Sequence, residues 1–187
     1  MAKSRKSAKG PASPTRINPF GDKKNNVVNA VVETPGGSRN KFKYDENLGC
    51  FTLSGILPEG MVFPHAFGFV PGTRAADGDP EDILILMDEP SFAGCVVPSR
   101  LLGVMEAEQT EQDGTRERND RLIAVSAQSY EYSEIQSFDD LDKHVLKQIE
   151  QFFINYNKEK GKKFRVLQMR GPKQALKLLK KSLRKTR

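Results

Sequence analysis

The sequence predicts a mainly β protein of the α+β class, a small β-barrel or sandwich packed by one long α-helix, with a basic helix added at the C-terminus. Short apolar runs separated by turn residues fill the region between residues 27 and 126. Helical periodicity begins after Ser137, and the last residues alternate leucine with lysine. With 187 residues, the chain is long enough for one domain with tails.

Charge is distributed unevenly along the chain, which has a net charge of +6. Residues 1–24 hold seven Lys/Arg and one acid, and residues 173–187 hold seven Lys/Arg and no acid, so the remainder is net acidic. We therefore predict a disordered basic arm at 1–26, a barrel domain at 27–172 and a basic helix or tail at 173–187. An acidic body suits a cation site better than a nucleic-acid surface, although the basic tails can contact polyanions.

The composition also bears on the cellular compartment. No apolar run approaches the ~20 residues that span a bilayer, and the first residues lack the apolar core of a signal peptide. Cys50 and Cys95 are the only cysteines and have no CxxC spacing. We therefore expect a cytoplasmic protein without membrane contact, disulfide framework or zinc site.

Eight short runs are predicted to be strands, because each is apolar or alternating and is bounded by Gly, Pro, Asn or Asp. They cover residues 27–33, 41–45, 51–54, 61–69, 83–87, 94–97, 101–107 and 122–126. Regularly spaced short strands with such turns are typical of a small barrel or sandwich.

Two stretches are predicted to be helices. The first lies within residues 137–161, with apolar residues at helical spacing, Ser137 as the N-cap and Gly161 as the C-terminal stop. The second, residues 174–183, has leucines on one face and lysines around the rest. Both are amphipathic, so we expect each to pack one face against the barrel.

The acidic loop DGDPED at residues 77–82 directly precedes an apolar strand. Asp77, Asp79 and Asp82 repel one another unless a cation neutralises them, and Mg²⁺ prefers carboxylate oxygens. Gly78 and Pro80 bend the backbone, so the three aspartates can converge on one metal. A solvated surface turn is the alternative interpretation of the same residues.

Five motifs in order then resemble those of the soluble, family I inorganic pyrophosphatases. They are VVETP (31–35), KYD (43–45), FPHAFGF (63–69) followed by DGDPED (77–82), NDRLIAV (119–125) and FFINYN (152–157). The chain is identified as a divergent member of that family. The resemblance implies a five-stranded OB-like barrel with a long helix, and Mg²⁺-dependent hydrolysis of pyrophosphate to two phosphates by an activated water.

The resemblance also implies roles for individual residues. Asp77 and Asp82 would hold metal, Asp79 would orient the attacking water, and Glu33 would support them from behind. Phosphate contacts are implied for Lys43, Arg121 and Tyr156. Asp45 takes the place of a glutamate, and the family further implies a homo-oligomer, often a hexamer.

The chain departs from the family pattern at several positions. Asn119 stands where a metal-bridging aspartate is expected, so we predict it as a metal ligand together with Asp77, Asp79 and Asp82. Asp120 faces the other way along the strand. Five further positions have also changed: Gln109, Gly55, Phe63, Phe67 and Asn157. Two alternatives therefore stay open, a phosphohydrolase acting on another diphosphate, and a non-catalytic barrel that binds phosphate or nucleic acid.

Overall fold

The computed structural model describes residues 13–22 and 26–183. The strands of this part are β1 Phe20–Asp22, β2 Val27–Thr34, β3 Asn40–Asp45, β4 Cys50–Ile56, β5 Ala66–Val70, β6 Glu81–Leu86, β7 Val96–Thr110, β8 Arg116–Arg118, β9 Arg121–Ser126 and β10 Lys163–Arg170. The α-helices are α1 Lys143–Lys158 and α2 Pro172–Ser182.

Five strands close into a barrel in the order β2-β5-β6-β9-β7, and β7 pairs back with β2. All neighbours are antiparallel except β6 and β9, which run parallel. The barrel closes because β7 is long, so that its first half pairs with β2 and its second half with β9 and β10. The predicted five-stranded OB-like barrel is confirmed.

The barrel strands are apolar on both faces, because two cores lie on either side of them. One core contains buried residues of all five barrel strands and of α2, and it includes Val32, Ile83 and Leu122. The other lies beneath α1 and joins Leu84 and Ile123 to the phenylalanines of that helix. Continuous apolar runs such as ILIL in β6 follow from this double burial.

Gly68 of β5 is required by the close approach of β2. A Cβ built on Gly68 would lie 1.9 Å from the carbonyl oxygen of Val31, a backbone atom that cannot move aside. We expect Gly68→Ala to lower the free energy of unfolding by about 3 kcal/mol or more. Urea denaturation measures this, with Gly55→Ala as the matched control in another strand, where a Cβ meets nothing within 4 Å. Equal midpoints for the two variants would contradict the expectation.

The hairpin of β3 and β4 forms a separate two-stranded sheet that leans on β2. The backbone N–H of Tyr44 donates to the Glu33 carboxylate over 2.8 Å, and the N–H of Phe42 donates to the Thr34 hydroxyl over 3.1 Å. These contacts replace an extended backbone ladder, so the hairpin stands over the mouth of the barrel as one wall of a cleft.

The long helix is confirmed, but it starts later than predicted. Ser137 caps a short 3₁₀-helix at Phe138–Asp140 through a capping box. The α-helix begins at Lys143, where the Asp142 carboxylate accepts the N–H of His144 over 2.8 Å. Gly161 follows the helix with φ of 70°, which is the left-handed conformation expected of a helix stop.

The strand prediction differs from the structure in three places. Residues 61–65 are loop, and only the end of the predicted 61–69 run is strand. Residues 96–97 and 101–107 of two predicted runs belong to one strand, β7, whereas residues 94–95 lie before it. β8 and β10 were missed because they are short or charge-rich edge strands, and β10 alternates exposed charged residues with apolar ones.

The prediction that residues 1–26 form a disordered arm is wrong for 13–22. Ile17 packs beside Tyr44 and Phe69, and Phe20 packs against the barrel core. The N–H of Asn29 donates to the carbonyl of Pro19 over 2.9 Å, and β1 pairs with β2. Burial of Ile17 and Phe20 therefore orders this segment, while the rest of the predicted arm, 1–12 and 23–25, lies outside the described residues.

The basic C-terminal helix is confirmed as α2, which begins at Pro172 rather than 174. Ala175 and Leu179 are fully buried on the barrel, whereas the lysines of the helix are exposed: Lys173, Lys177, Lys180 and Lys181. Residues 184–187 of the predicted tail lie outside the described residues. Within the described ranges, neither helix has the length and apolar character needed to cross a membrane.

Candidate active site

A cleft of about 520 Å³ opens between the β3–β4 hairpin, the acidic loop before β6, the start of β9 and helix α1. Its polar lining includes Glu33, Lys43, Asp79, Asp82 and Arg121. Asp45 and Tyr156 complete the predicted residues that reach it. The structure therefore brings most of the predicted site residues to one place, although they come from five separate stretches of sequence.

The acidic loop presents its three aspartates differently. The carboxylate of Asp77 accepts the backbone N–H of Asp79 over 3.1 Å and so stabilises the turn itself. Asp79 and Asp82 line the cleft, whereas Asp77 is exposed beside it. Gly78 has a φ of 93°, a conformation that only glycine adopts readily, and it forms the bend between Asp77 and Asp79.

Each of the two cleft aspartates lies against a cation. Asp79 Oδ2 is 2.7 Å from Lys43 Nζ, which extends from β3 on the opposite wall. Asp82 Oδ2 is 2.6 Å from a terminal nitrogen of Arg121, the first residue of β9. Because β6 and β9 are parallel neighbours, Asp82 and Arg121 stand side by side at the same edge of the barrel.

The Arg121 guanidinium is buried among aromatic rings. It lies 5.7 Å from the ring centre of Phe67 and 5.6 Å from that of Phe153, within cation–π range. Its Nε is buried without a hydrogen-bond partner in the described structure. Phe67, a departure from the family pattern, therefore serves as an apolar floor for this cation and offers no hydroxyl to phosphate.

Asn119 and Gln109 form a neutral amide pair beside Arg121. Arg121 donates to Asn119 Oδ1, and Asn119 Nδ2 donates to Gln109 Oε1 over 2.8 Å. Gln109 in turn donates to Glu111, which is 2.6 Å from Lys162 Nζ. The amide of Asn119 is thus occupied at both ends and adds no charge to the cleft.

Asp120 does not replace the missing acid. Its carboxylate accepts the backbone N–H of Ala107 over 2.9 Å and is 2.6 Å from Arg118 Nε. Glu108 also points elsewhere, 3.4 Å from Arg165 and 3.9 Å from Arg116. The strand alternation therefore holds as predicted, and neither acid contributes to the cleft.

Glu33 is a buried acid at the base of the cleft. Burial raises its pKa to about 7, the N–H of Tyr44 opposes this rise, and the nearby charge of Asp82 adds to it. Burial likewise raises the pKa of Asp82, against the lowering effect of Arg121, while Asp77 and Asp79 raise it further. The acids of the site therefore repel one another, as the sequence predicted.

The raised pKa of Glu33 makes stability depend on pH. Between its ordinary value of 4.5 and about 7, the folded state binds more protons than the unfolded state, so stability falls as pH rises through this window. We expect Glu33→Gln to remove this pH-dependent part of the free energy of unfolding, which amounts to about 2–3 kcal/mol. Urea denaturation in EDTA at pH 5 and pH 8 measures it, with the exposed Glu117→Gln as control. Parallel losses in wild type and Glu33→Gln would contradict the expectation.

The remaining predicted residues have mixed placements. Asp45 lines the cleft, but its carboxylate accepts the backbone N–H groups of Asn47 and Leu48. These hydrogen bonds stabilise the hairpin turn between β3 and β4. Tyr156 lines the cleft with its ring against Phe63 and Phe152. Asn157 is buried and donates to the carbonyl of Phe153, which excludes it from the cleft.

Three residues at the cleft were not predicted as site residues. Thr15 reaches it from the N-terminal segment. Lys41 lines it, and Lys160 lies 2.5 Å from the Tyr156 hydroxyl. Lys41 shares β3 with Lys43, Thr15 reaches the cleft only through packing, and Lys160 lies beside the cleft in an adjoining pocket.

The donors of the cleft fit a hard divalent cation. Carboxylate oxygens of Asp79 and Asp82 face the space, Asp77 is adjacent, and such oxygens are preferred by small divalent ions. In the described ranges, however, no three His, Cys, Asp or Glu side chains are close enough to form a preformed metal-binding group. The predicted convergence of the three aspartates is therefore not seen, because Asp77 is used in the turn and the other two pair with Lys43 and Arg121.

Comparison with known proteins places the chain in a family. The inorganic pyrophosphatase family matches residues 30–187. The inorganic pyrophosphatase of Geobacillus stearothermophilus is 36% identical over 156 residues, covering 83% of this chain and 91% of the relative. Soluble inorganic pyrophosphatase 2 of Chlamydomonas reinhardtii is 39% identical over 158 residues, covering 84% and 80%.

Solved structures agree with the sequence relatives. The crystal structure of inorganic pyrophosphatase from Thermus thermophilus superposes with a TM-score of 0.82 at 35% identity, covering 92% of this chain and 97% of that one. A protein of this family uses a divalent metal, which suits the carboxylates of the cleft. The fold, the aligned length and the acidic loop together show that this chain belongs to the inorganic pyrophosphatase family.

Proposed function

We propose that this chain hydrolyses inorganic pyrophosphate to two phosphates, with Mg²⁺ held by the acidic loop. The observation that carries the proposal is the pairing of acids and cations within one cleft, Asp79 with Lys43 and Asp82 with Arg121. The acids suit metal and water, and the cations beside them suit phosphate oxygens. Family membership supports the same reaction.

Mg²⁺ at the cleft carboxylates would neutralise phosphate oxygens and make water a stronger nucleophile. Asp79 and Asp82, which line the cleft, are the residues that would hold it. Asp77 would join them only by leaving its hydrogen bond to the N–H of Asp79. Lys43 and Arg121 now balance those carboxylates. Both cations line the cleft, so they would face a phosphate bound there once a metal neutralises the acids. Carboxylate oxygens are the ligands that Mg²⁺ prefers.

Side chains of the chain itself accept the proton, stabilise the phosphate charge and position the site. Asp79, the more exposed cleft acid, orients the attacking water and accepts its proton as the oxygen bonds to phosphorus and the bridging P–O bond breaks. Arg121 and Lys43 stabilise the negative charge that collects on the phosphate oxygens. Glu33 acts from behind by fixing the backbone of β3 through Tyr44.

Release of phosphate from pyrophosphate tests the proposal. We expect the purified chain to release phosphate in Mg²⁺, to lose this activity in EDTA, and to regain it when Mg²⁺ is added in excess. If no phosphate is released in Mg²⁺ and the chain binds DNA or RNA in a salt-sensitive way, the non-catalytic alternative is favoured. Release from another diphosphate only would favour the diverged phosphohydrolase.

We also propose a cytoplasmic homo-oligomer, with a hexamer as the form that the family resemblance implies. Exposed apolar side chains on the hairpin support self-association, since Leu48, Leu53 and Ile56 are all more than half exposed. Sedimentation velocity of the full chain measures its assembly. A monomer at micromolar concentration would contradict the proposal.

A further inference from the structure

A second pocket of about 190 Å³ adjoins the cleft at the edge of the hairpin. It shares Lys41, Ser54 and Tyr156 with the cleft and adds Lys160 from the end of the α1 segment. Gly55 forms part of its wall, and a Cβ at Gly55 would meet nothing within 4 Å. The two spaces therefore share a wall formed by Lys41, Ser54 and Tyr156, and Gly55 adds no side chain to the second pocket.

The Tyr156 hydroxyl is the meeting point of two ammonium groups. Lys160 Nζ lies 2.5 Å from it and 4.2 Å from the ring centre. Lys41 Nζ lies 5.6 Å from the same ring centre and also interacts with the hydroxyl. Burial raises the pKa of Tyr156, but Lys41 and Lys160 together bring it below its usual value.

The hydrogen-bonding capacity of this cluster suits an anion. The Tyr156 hydroxyl accepts an N–H of Lys160, so its own proton remains to be donated. Each ammonium has further N–H groups and no acceptor. Stacking of the Tyr156 ring on Phe152, with the ring centres 5.8 Å apart, holds the donors in place. The cluster therefore offers donors and positive charge to the space beside it.

We propose that Lys41 and Lys160, gathered at Tyr156, form a phosphate-binding subsite of this chain. Its ligand is one phosphate group of the diphosphate substrate, so the inference rests on the proposed function. Strand β4 supplies no cation here, because Gly55 is the cross-strand partner of Lys41. Lys160, from the turn after α1, supplies the positive charge on this side of the site.

Binding of inorganic phosphate, followed by calorimetry, tests the subsite independently of catalysis. We expect Lys160→Gln and Lys41→Gln each to weaken phosphate binding about tenfold, as expected for the loss of one charge-assisted hydrogen bond. Lys147→Gln, at an exposed lysine of α1, is the matched control and should bind phosphate like the wild type. In the hydrolysis assay, the KM for pyrophosphate should rise about tenfold in the two variants, with kcat changing less.

A rescue variant separates this role from a structural one. Gly55→Arg places a guanidinium opposite Lys41, so it should restore most of the phosphate affinity lost in Lys160→Gln. Wild-type phosphate affinity in both lysine variants would overturn the subsite, even if pyrophosphate is hydrolysed normally. If the wild type hydrolyses no pyrophosphate, the proposed function fails, and the phosphate titrations still decide whether the subsite exists.

Discussion

Replacing Asp79 by asparagine is expected to lower the rate of pyrophosphate hydrolysis by about a thousandfold without unfolding the protein. The amide cannot accept the proton of the attacking water, although it retains the size of the carboxylate. The side chain is 57% exposed and its pair with Lys43 is partly solvated, so its contribution to stability is within about 0.5 kcal/mol. Loss of rate with retained fold therefore isolates the chemical role of Asp79.

The measurement is phosphate release under saturating Mg²⁺ and pyrophosphate, with urea denaturation on the same samples. Asp139→Asn is the matched control, since Asp139 is an exposed aspartate of the 3₁₀-helix away from the cleft. It should keep the wild-type rate. A rate for Asp79→Asn within tenfold of wild type would show that another group receives the proton.

The barrel and the long helix were predictable because their residues carry local signals. Apolar runs bounded by turn residues gave the strands β2, β6 and β9, and helical spacing with Gly161 gave α1. Closure of the barrel depends instead on the length of β7, which the sequence presents as two runs divided by Pro98, Ser99 and Arg100. Arg100 belongs to the strand because it donates to the carbonyls of Tyr132 and Ile135, partners distant in sequence.

The candidate site was predictable only where its residues form motifs. Asp79, Asp82, Lys43 and Arg121 were predicted from motifs and lie together in the cleft. The orientation of Asp77 was not predictable, because an aspartate in a turn can serve the backbone as easily as a ligand. Lys160 was missed because its contact with Tyr156 depends on the i, i+4 spacing across the turn that follows α1, where lysines are usually solvated.

Replacing Arg121 by methionine is expected to have the second large effect, lowering kcat/KM by about a hundredfold to a thousandfold. Methionine fills much of the space between Phe67 and Phe153 but removes the cation that faces phosphate. It also leaves the partly buried Asp82 without its partner 2.6 Å away. We therefore expect a loss of about 1–3 kcal/mol in the free energy of unfolding, reduced when Mg²⁺ binds Asp82.

Arg121→Lys separates charge from geometry. Lysine keeps the positive charge but loses the planar fork that joins Asp82 and Asn119, so a loss of about tenfold is expected. Arg118→Met is the matched control, because Arg118 pairs with Glu106 and Asp120 outside the cleft and should change the rate less than about twofold. Steady-state kinetics in Mg²⁺ measure all three variants. If Arg121→Met hydrolyses pyrophosphate within threefold of wild type, positive charge at the start of β9 is not part of the reaction, and Lys43 with the lysines at Tyr156 must hold the phosphates alone.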